Sequence, residues 1–304
     1  MSTPNASAAG TFHIANSLQV NRLGYGTMRL TGEGAWGEPP DREDARNVLR
    51  RALELGINLL DTADAYGPGI AEELIAEALH PYPADLVIAT KGGLTRQGPG
   101  KAKPLGRPDY LAQQIELSLR RLRLDTIPLY QLHRIDPTIP LADTLGALKE
   151  AQTQGKIQHI GLSEVTPEQI AEAQTILPIA SVQNRFNLFD RKSEATLRFC
   201  EGHGIAFLPW YPMGGSAATS IAKATATTPE SAGTNHPLAD FARDHNATPN
   251  GVALAWLLQF SPNILPIPGT ASIAHLEENV AAASLDIPEA DWDALELIAE
   301  TQAS

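Results

Sequence analysis

The sequence predicts an α/β protein of the (β/α)8 TIM-barrel class. Amphipathic helical stretches alternate with short runs of β-branched and apolar residues, one helix–glycine–strand joint recurs, and about eight such units fill the chain. From Asp41 to Leu55, residues Ala45, Val48, Leu49 and Ala52 fall at i, i+3, i+4 and i+7, the spacing of a helix with one buried face. Gly56 stops it before an apolar run at 57–60. The joint returns where Leu141, Leu145 and Leu148 precede Gly155 and the run 157–161, and where 197–203 precede Gly204 and 205–209. Strands are expected at 23–26, 57–61, 86–90, 127–132, 157–161, 180–183, 205–209 and 264–267. An open doubly wound sheet fits less well, because no third glycine after Gly24 and Gly26 opens a helix as a dinucleotide fingerprint requires. Residues 33–40 read as a loop, and 213–237, rich in Gly, Ala, Ser and Thr, as a lid on the face where barrel sites lie. One domain over 11–304 accounts for the pattern, with 1–10 expected as a flexible tail.

Composition narrows the function. With 304 residues, 43% hydrophobic and 19% charged, the chain has ample material for a core. Its 23 Lys+Arg against 35 Asp+Glu give a net charge of −12, which disfavours nucleic acid and anionic membranes as partners. A single cysteine, Cys200, excludes an internal disulfide, and the histidines lack ligand spacing, so no metal is implied. Without a membrane-length apolar run or a secretory pattern at the start, a soluble cytoplasmic protein is expected. No motif bears on oligomeric state.

In a barrel, polar residues just after a strand meet above it. Asp61 ends the run 57–60, with Tyr66 five residues on; Lys91 ends 86–90; His133 ends 129–132. Each has a plain structural reading as well: Asp61 as a turn cap, Tyr66 packed beside Gly67, Lys91 as a solvated charge, His133 paired with Asp136. Together they form a proton-delivery set. A lysine ammonium beside a tyrosine lowers the phenol's pKa, a carboxylate keeps the lysine charged, and an imidazole hydrogen-bonds the substrate oxygen. Such a set protonates an oxygen as negative charge develops on it, which suits carbonyl reduction by a hydride that only a cofactor supplies.

The motifs LLDTADAYG from Leu59, IATKGG from Ile88, LYQLHRID from Leu129, HIGLSEV from His159, SVQNRFN from Ser181 and IPGTASIAHLEEN from Ile267 occur in this order. In these the chain resembles the aldo-keto reductase superfamily over nearly its whole length. The resemblance implies a barrel closed by an N-terminal hairpin within 11–20 and extended by a C-terminal helical segment. It implies that Asp61, Tyr66, Lys91 and His133 are the catalytic tetrad, Tyr66 being the acid and base. It places the nicotinamide carboxamide at Ser163 and Gln183, the stacking aromatic at Trp210, the nicotinamide ribose near Gly26, Thr27, Met28 and Asp61, and the pyrophosphate along Tyr211, Pro212, Met213, Gly214 and Gly215. Glu278 and Asn279 match the adenine contacts.

The chain departs from the family in two places. Glu164 stands where asparagine is usual; a carboxylate accepts from the carboxamide amine but cannot donate to its oxygen. After the last strand, Pro268, Gly269, Thr270 and His275 span positions where many relatives carry Lys-Ser and a later Arg for the 2′-phosphate of NADP. What remains there is a helix start with the hydroxyls of Thr270 and Ser272 and a titratable His275. NADPH is the expected cofactor, with NADH possible. The stretches VNRLGYGTMRL from Val20 and ALAWLLQFSPNILPIPGT from Ala253 resemble a bacterial branch of pyridoxal reductases, making pyridoxal a candidate substrate. Trp36, Arg134 and Phe189 are candidate pocket walls, and Arg134 reads either as a partner for an anionic substrate group or as a salt bridge to Asp136. A broad aldehyde detoxifier, a Schiff-base aldolase using Lys91 and an NADPH-sensing regulatory subunit remain as alternatives.

Overall fold

The computed structural model describes residues 3–214 and 237–302. The chain opens with an antiparallel hairpin, β1 (Thr11–Ile14) paired with β2 (Leu18–Asn21). Its sheet then runs through β3 (Tyr25–Gly26), β4 (Leu59–Asp61) and β5 (Val87–Gly92). A second hairpin follows, β6 (Leu94–Gly98) with β7 (Lys101–Pro104). The sheet continues with β8 (Ile127–Leu132), β9 (Ile157–Ser163), β10 (Ser181–Gln183) and β11 (Ala206–Phe207), giving seven parallel strands side by side in chain order.

The eighth expected strand, 264–267, is a single bridge rather than a strand, yet it closes the barrel. Phe207 donates to the Asn263 carbonyl at 2.9 Å and Leu265 to the Phe207 carbonyl at 2.8 Å. On the other side, Gly24 and Gly26 donate to the carbonyls of Pro266 and Pro268 at 2.9 and 3.3 Å. Prolines have no N–H to return, so this ladder runs one way only. Closure also packs backbone on backbone: a Cβ on Gly26 would lie 2.7 Å from the Ile267 oxygen.

Helices follow the strands: α1 (Arg42–Glu54), α2 (Ile70–Leu79), α3 (Pro108–Leu122), α4 (Leu141–Thr153), α5 (Pro167–Gln174), α6 (Glu194–His203), α7 (Pro237–Asp244), α8 (Pro249–Phe260), α9 (Ile273–Ala281) and α10 (Glu289–Gln302). The first shows why they form. Asp41 accepts from the amides of Glu43 and Asp44, Ala45, Val48, Leu49 and Ala52 are buried, and Gly56 at φ 79° ends the turn. Gly155 and Gly204 repeat that joint at φ 76° and 64°.

Side chains alternate across each strand, so the sheet has two apolar faces. Leu59, Val87, Ala89, Leu129, Ala206, Leu208, Leu265 and Ile267 cluster with Ile14 and Val20 of the first hairpin, which thereby plugs the barrel's N-terminal end. The intervening residues face the helices: Leu60 and Ile88 meet Val48 and Leu49, while Tyr130, Ile160 and Val182 join a cluster containing Leu145 and Leu197.

Two features depart from the sequence reading. Residues 6–9 are not a loose tail: Ala6–Ala9 form a 3-10 turn, Ala6 is fully buried and its amide donates to the Leu55 carbonyl at 2.8 Å. The hairpin β6–β7 was not anticipated. Of the expected lid, 215–236 lies outside the described residues. Among the described residues no helix is long and apolar enough to cross a membrane.

The closure contact yields a paired expectation. Gly26→Ala forces backbone apart at the barrel seam and lowers stability by about 1–3 kcal/mol. Gly146→Ala, on the exposed side of α4 with no atom within 4 Å of the new Cβ, raises it by about 0.5–1 kcal/mol. Urea denaturation midpoints of the two variants check the opposite signs.

Candidate active site

At the C-terminal end of the strands the inward rows turn from apolar to polar. Asp61 follows Leu59 by two residues, Lys91 follows Ala89, and Gln131 follows Leu129, so all three point into the barrel in phase with its interior. Lys91 is fully buried and its ammonium has three acceptors: Asp61 Oδ2 at 2.6 Å, the Thr62 carbonyl at 2.8 Å and Tyr66 Oη at 3.3 Å. Gln183 and Gln131 donate to Asp61 Oδ1 at 2.8 and 3.2 Å. His133, beyond the end of β8, meets the Tyr66 ring edge to face with centroids 5.9 Å apart. The structure therefore brings the four expected catalytic side chains together and adds Gln131.

Protonation states follow from burial and charge. For Tyr66, burial raises the pKa above the ordinary phenol value, and the nearby Lys91 charge only partly offsets it. The expected lowering is thus outweighed: Tyr66 keeps its proton until charge develops beside it. For Lys91, burial works against the ammonium, but Asp61 and then Tyr66 more than compensate and raise its pKa. A buried ammonium with three acceptors is a poor nucleophile, which argues against the Schiff-base alternative. Burial, followed by the charges of Lys91, Arg134 and Arg96, holds the pKa of His133 well below its ordinary value, so it is a neutral imidazole.

The donors and acceptors beside this cluster complement a nicotinamide. Gln183 turns its amide nitrogen to Asp61, an acceptor only, which leaves its oxygen free to accept. Its neighbour in register, Ser163, accepts from Arg134 Nη1 at 3.0 Å and keeps its own proton to donate. One acceptor and one donor side by side are what a carboxamide needs. Gln183, and Arg134 to which Ser163 is bonded, line a cavity of about 390 Å³ whose walls also include Gly26, Met28, Asp61, Tyr66, His133, Trp210, Tyr211, Pro212, Met213 and Gly269.

The other expected residues have partners of their own. Glu164 Oε1 accepts from the Arg185 amide at 2.8 Å and from the Trp210 indole N–H at 2.5 Å, so it orients the aromatic. Its φ of 56° lies in the left-handed region where asparagine is favoured and a carboxylate residue is unusual. Thr27 braces the site from behind, its amide and hydroxyl both donating to the Asp61 carbonyl. Thr270 Oγ1 accepts from the Ser272 amide and Ser272 Oγ from the His275 amide, capping α9; His275 is exposed, and Asn279 is buried in the same helix as Glu278. Gly214 packs on Phe189, and neither Phe189 nor the exposed Trp36 lines the cavity. Gly215 lies outside the described residues. Asp136 pairs with neither His133 nor Arg134 but accepts from Gly106 and Thr138. Sequence reasoning missed Arg29, Arg96 and Asn250, which also line the cavity.

The neutral imidazole predicts a pH effect. As pH falls below about 6.5, the unfolded chain takes up a proton on this residue before the folded protein does. Its contribution to stability is complete above that pH and is lost as pH falls toward the depressed folded-state value. His133→Gln should therefore lose less stability than the wild type between about pH 7 and 5, as chemical denaturation at each pH will measure.

Comparison with known proteins agrees with this geometry. Residues 22–300 match the aldo/keto reductase family. Pyridoxine 4-dehydrogenase of Escherichia coli is 43% identical over 93% of this chain and 96% of its own length. An uncharacterized oxidoreductase of Schizosaccharomyces pombe is 47% identical over 94% of this chain and 89% of its own. An aldo-keto reductase of Klebsiella pneumoniae, solved in complex with NADPH, shares the fold at a TM-score of 0.76 and 24% identity, over 95% of this chain and 94% of that one. The chain belongs to the aldo/keto reductase family and is an NAD(P)H-dependent oxidoreductase.

Proposed function

We propose that the protein reduces an aldehyde or ketone to the alcohol with NADPH, and that pyridoxal is its leading candidate substrate. The observation that carries the reaction type is the protonated Tyr66 phenol held 3.3 Å from the buried Lys91 ammonium and edge-on to a neutral His133. When bound, reduced nicotinamide supplies the hydride to the carbonyl carbon. Trp210 would hold the ring against its π-face, and Gln183 with Ser163 would orient the carboxamide. As negative charge grows on the carbonyl oxygen, Tyr66 transfers its proton to it, and the phenolate left behind is stabilised by Lys91. His133, being neutral, donates a hydrogen bond to the same oxygen without competing as an acid. In the reverse direction the phenolate takes the proton back.

The pyridoxal reading rests on the Escherichia coli relative, whose name concerns the corresponding alcohol. The NADPH reading is supported by the start of α9, where the helix's first amides and the hydroxyl protons of Thr270 and Ser272 would meet a 2′-phosphate. Arg29, whose Cγ lies 3.6 Å from where a Cβ on Gly269 would sit, adds a cation at the same seam.

Tyr66→Phe should lower kcat on the order of 10²–10⁴-fold while NADPH still quenches or shifts protein fluorescence; near wild-type turnover would overturn the mechanism. Initial rates followed at the reduced-nicotinamide absorbance, with both cofactors against pyridoxal, methylglyoxal, aromatic aldehydes and simple ketones, should give a lower KM for NADPH than for NADH. They should also give the highest kcat/KM for pyridoxal. A flat profile would favour a broad detoxifier.

A further inference from the structure

Arg29, Arg96 and Arg134 line one cavity whose lining residues include a single carboxylate, Asp61, already bound to Lys91. Arg29 sits at the seam beside Gly269, on the cofactor side. The other two sit around the reacting groups. Arg96, on β6, donates from Nε to the carbonyl of Ala65, the residue before Tyr66, at 3.0 Å. Arg134 follows His133 in sequence and donates to its carbonyl and to Ser163. Among the described residues neither arginine makes an ion pair, whereas Arg42, Arg46, Arg51 and Arg121 on the outer helices all do. In a chain of net charge −12, acids were available to pair them. Burial and then the Arg96 charge weigh against the Arg134 guanidinium, the charge of Glu164, which forms no ion pair with it, offsets this only in part, and both arginines disfavour a protonated His133; an anion placed between them offsets what remains. An independent feature points the same way: the hairpin that carries Arg96 also holds Lys101 and Lys103, and between 94 and 104 it has no acid. Its field draws anions toward the mouth of an otherwise acidic protein.

We propose that Arg96 and Arg134 receive a carboxylate or phosphate ester where the carbonyl substrate carries one, so that between otherwise matched aldehydes or ketones the anionic one is preferred. The guanidinium fork suits either group, and the substrate is held with its carbonyl toward Tyr66 and its anion toward the β6–β7 hairpin. This inference rests on the carbonyl-reductase reading above.

The test compares kcat/KM at saturating NADPH for two matched pairs: 4-carboxybenzaldehyde against methyl 4-formylbenzoate, and pyridoxal 5′-phosphate against pyridoxal. The anionic member of at least one pair should be preferred by roughly tenfold, with the advantage shrinking as salt is raised. The pair that shows it distinguishes a carboxylate from a phosphate receptor. Arg96→Met should erase the preference, lowering kcat/KM for the anionic member more than for its neutral partner. Equal kcat/KM within both wild-type pairs overturns the anion receptor and leaves the reductase reading standing, even if the variant fails to fold. An Arg96→Met loss that falls equally on both members, or that is accounted for by weaker NADPH binding, also overturns it. No reduction of any of the four compounds with either cofactor refutes the reductase reading itself.

Discussion

A lysine ammonium and an aspartate carboxylate, 2.6 Å apart and shielded from water, set the terms for everything above the barrel's apolar interior. Removing one partner from such a buried pair costs about 3–5 kcal/mol, because the other is left as an uncompensated charge. Burial is tolerable only if every remaining donor and acceptor is satisfied. Gln183 and Gln131 serve the far oxygen of Asp61; the Thr62 carbonyl and Tyr66 serve the remaining protons of Lys91. The reactive phenol is therefore fixed by the same condition that makes the pair stable. Tyr66 is the third acceptor the ammonium requires, and its position for chemistry follows from that need.

The same strand carries a second charged cluster on its other face, and alternation keeps the two apart. Lys91 points inward, while Thr90 points outward and donates to Glu72, whose second oxygen accepts from Arg121 at 2.6 Å. Asp64, five residues after Leu59 in the same motif, has no side-chain hydrogen-bond partner among the described residues, and burial followed by the Glu72 charge holds its pKa well above the usual carboxylate range. Kept protonated, it does not compete with Asp61 for the ammonium. Each face is neutralised by its own partners, and a single strand supports both a packing network and a reactive one.

What the sequence reveals is whatever short-range pattern encodes. Helix faces, glycine joints and strand runs depend on neighbours within a few residues, and Asp61, Lys91 and His133 stand at strand ends that those patterns locate. Gln131 was legible in principle: it lies in phase with Leu129 and His133, but inside a run read simply as apolar. The eighth strand reads as Ile264 to Ile267 by hydropathy, whereas Pro266 and Pro268 withhold the N–H groups a ladder needs. Glu164 and Trp210 are 46 residues apart, so the bond that orients the indole is invisible to any local pattern. Arg96 was hidden for a different reason: its hairpin turns through Gly98-Pro99-Gly100, and after the buried Leu94 β6 is half-buried or exposed while β7 is exposed throughout, leaving no alternation to mark it.

A net charge of −12 would oppose a polyanionic cofactor if charge were spread evenly, but its distribution reverses the sign where it matters. Acids lie on the outer helices in pairs such as Glu77 with Arg42 and Arg46, and Glu277 with Arg51. The cavity, by contrast, gathers three arginines around one carboxylate that is already neutralised. At physiological ionic strength the Debye length is about 8 Å, so the remote acids are screened while cations at the cavity wall act at contact range. Overall charge then governs solubility and the rejection of large polyanions, and local charge governs binding. The two can differ in sign because the barrel separates them by its own radius: helices outside carry the acids, and strand ends and hairpin carry the cations.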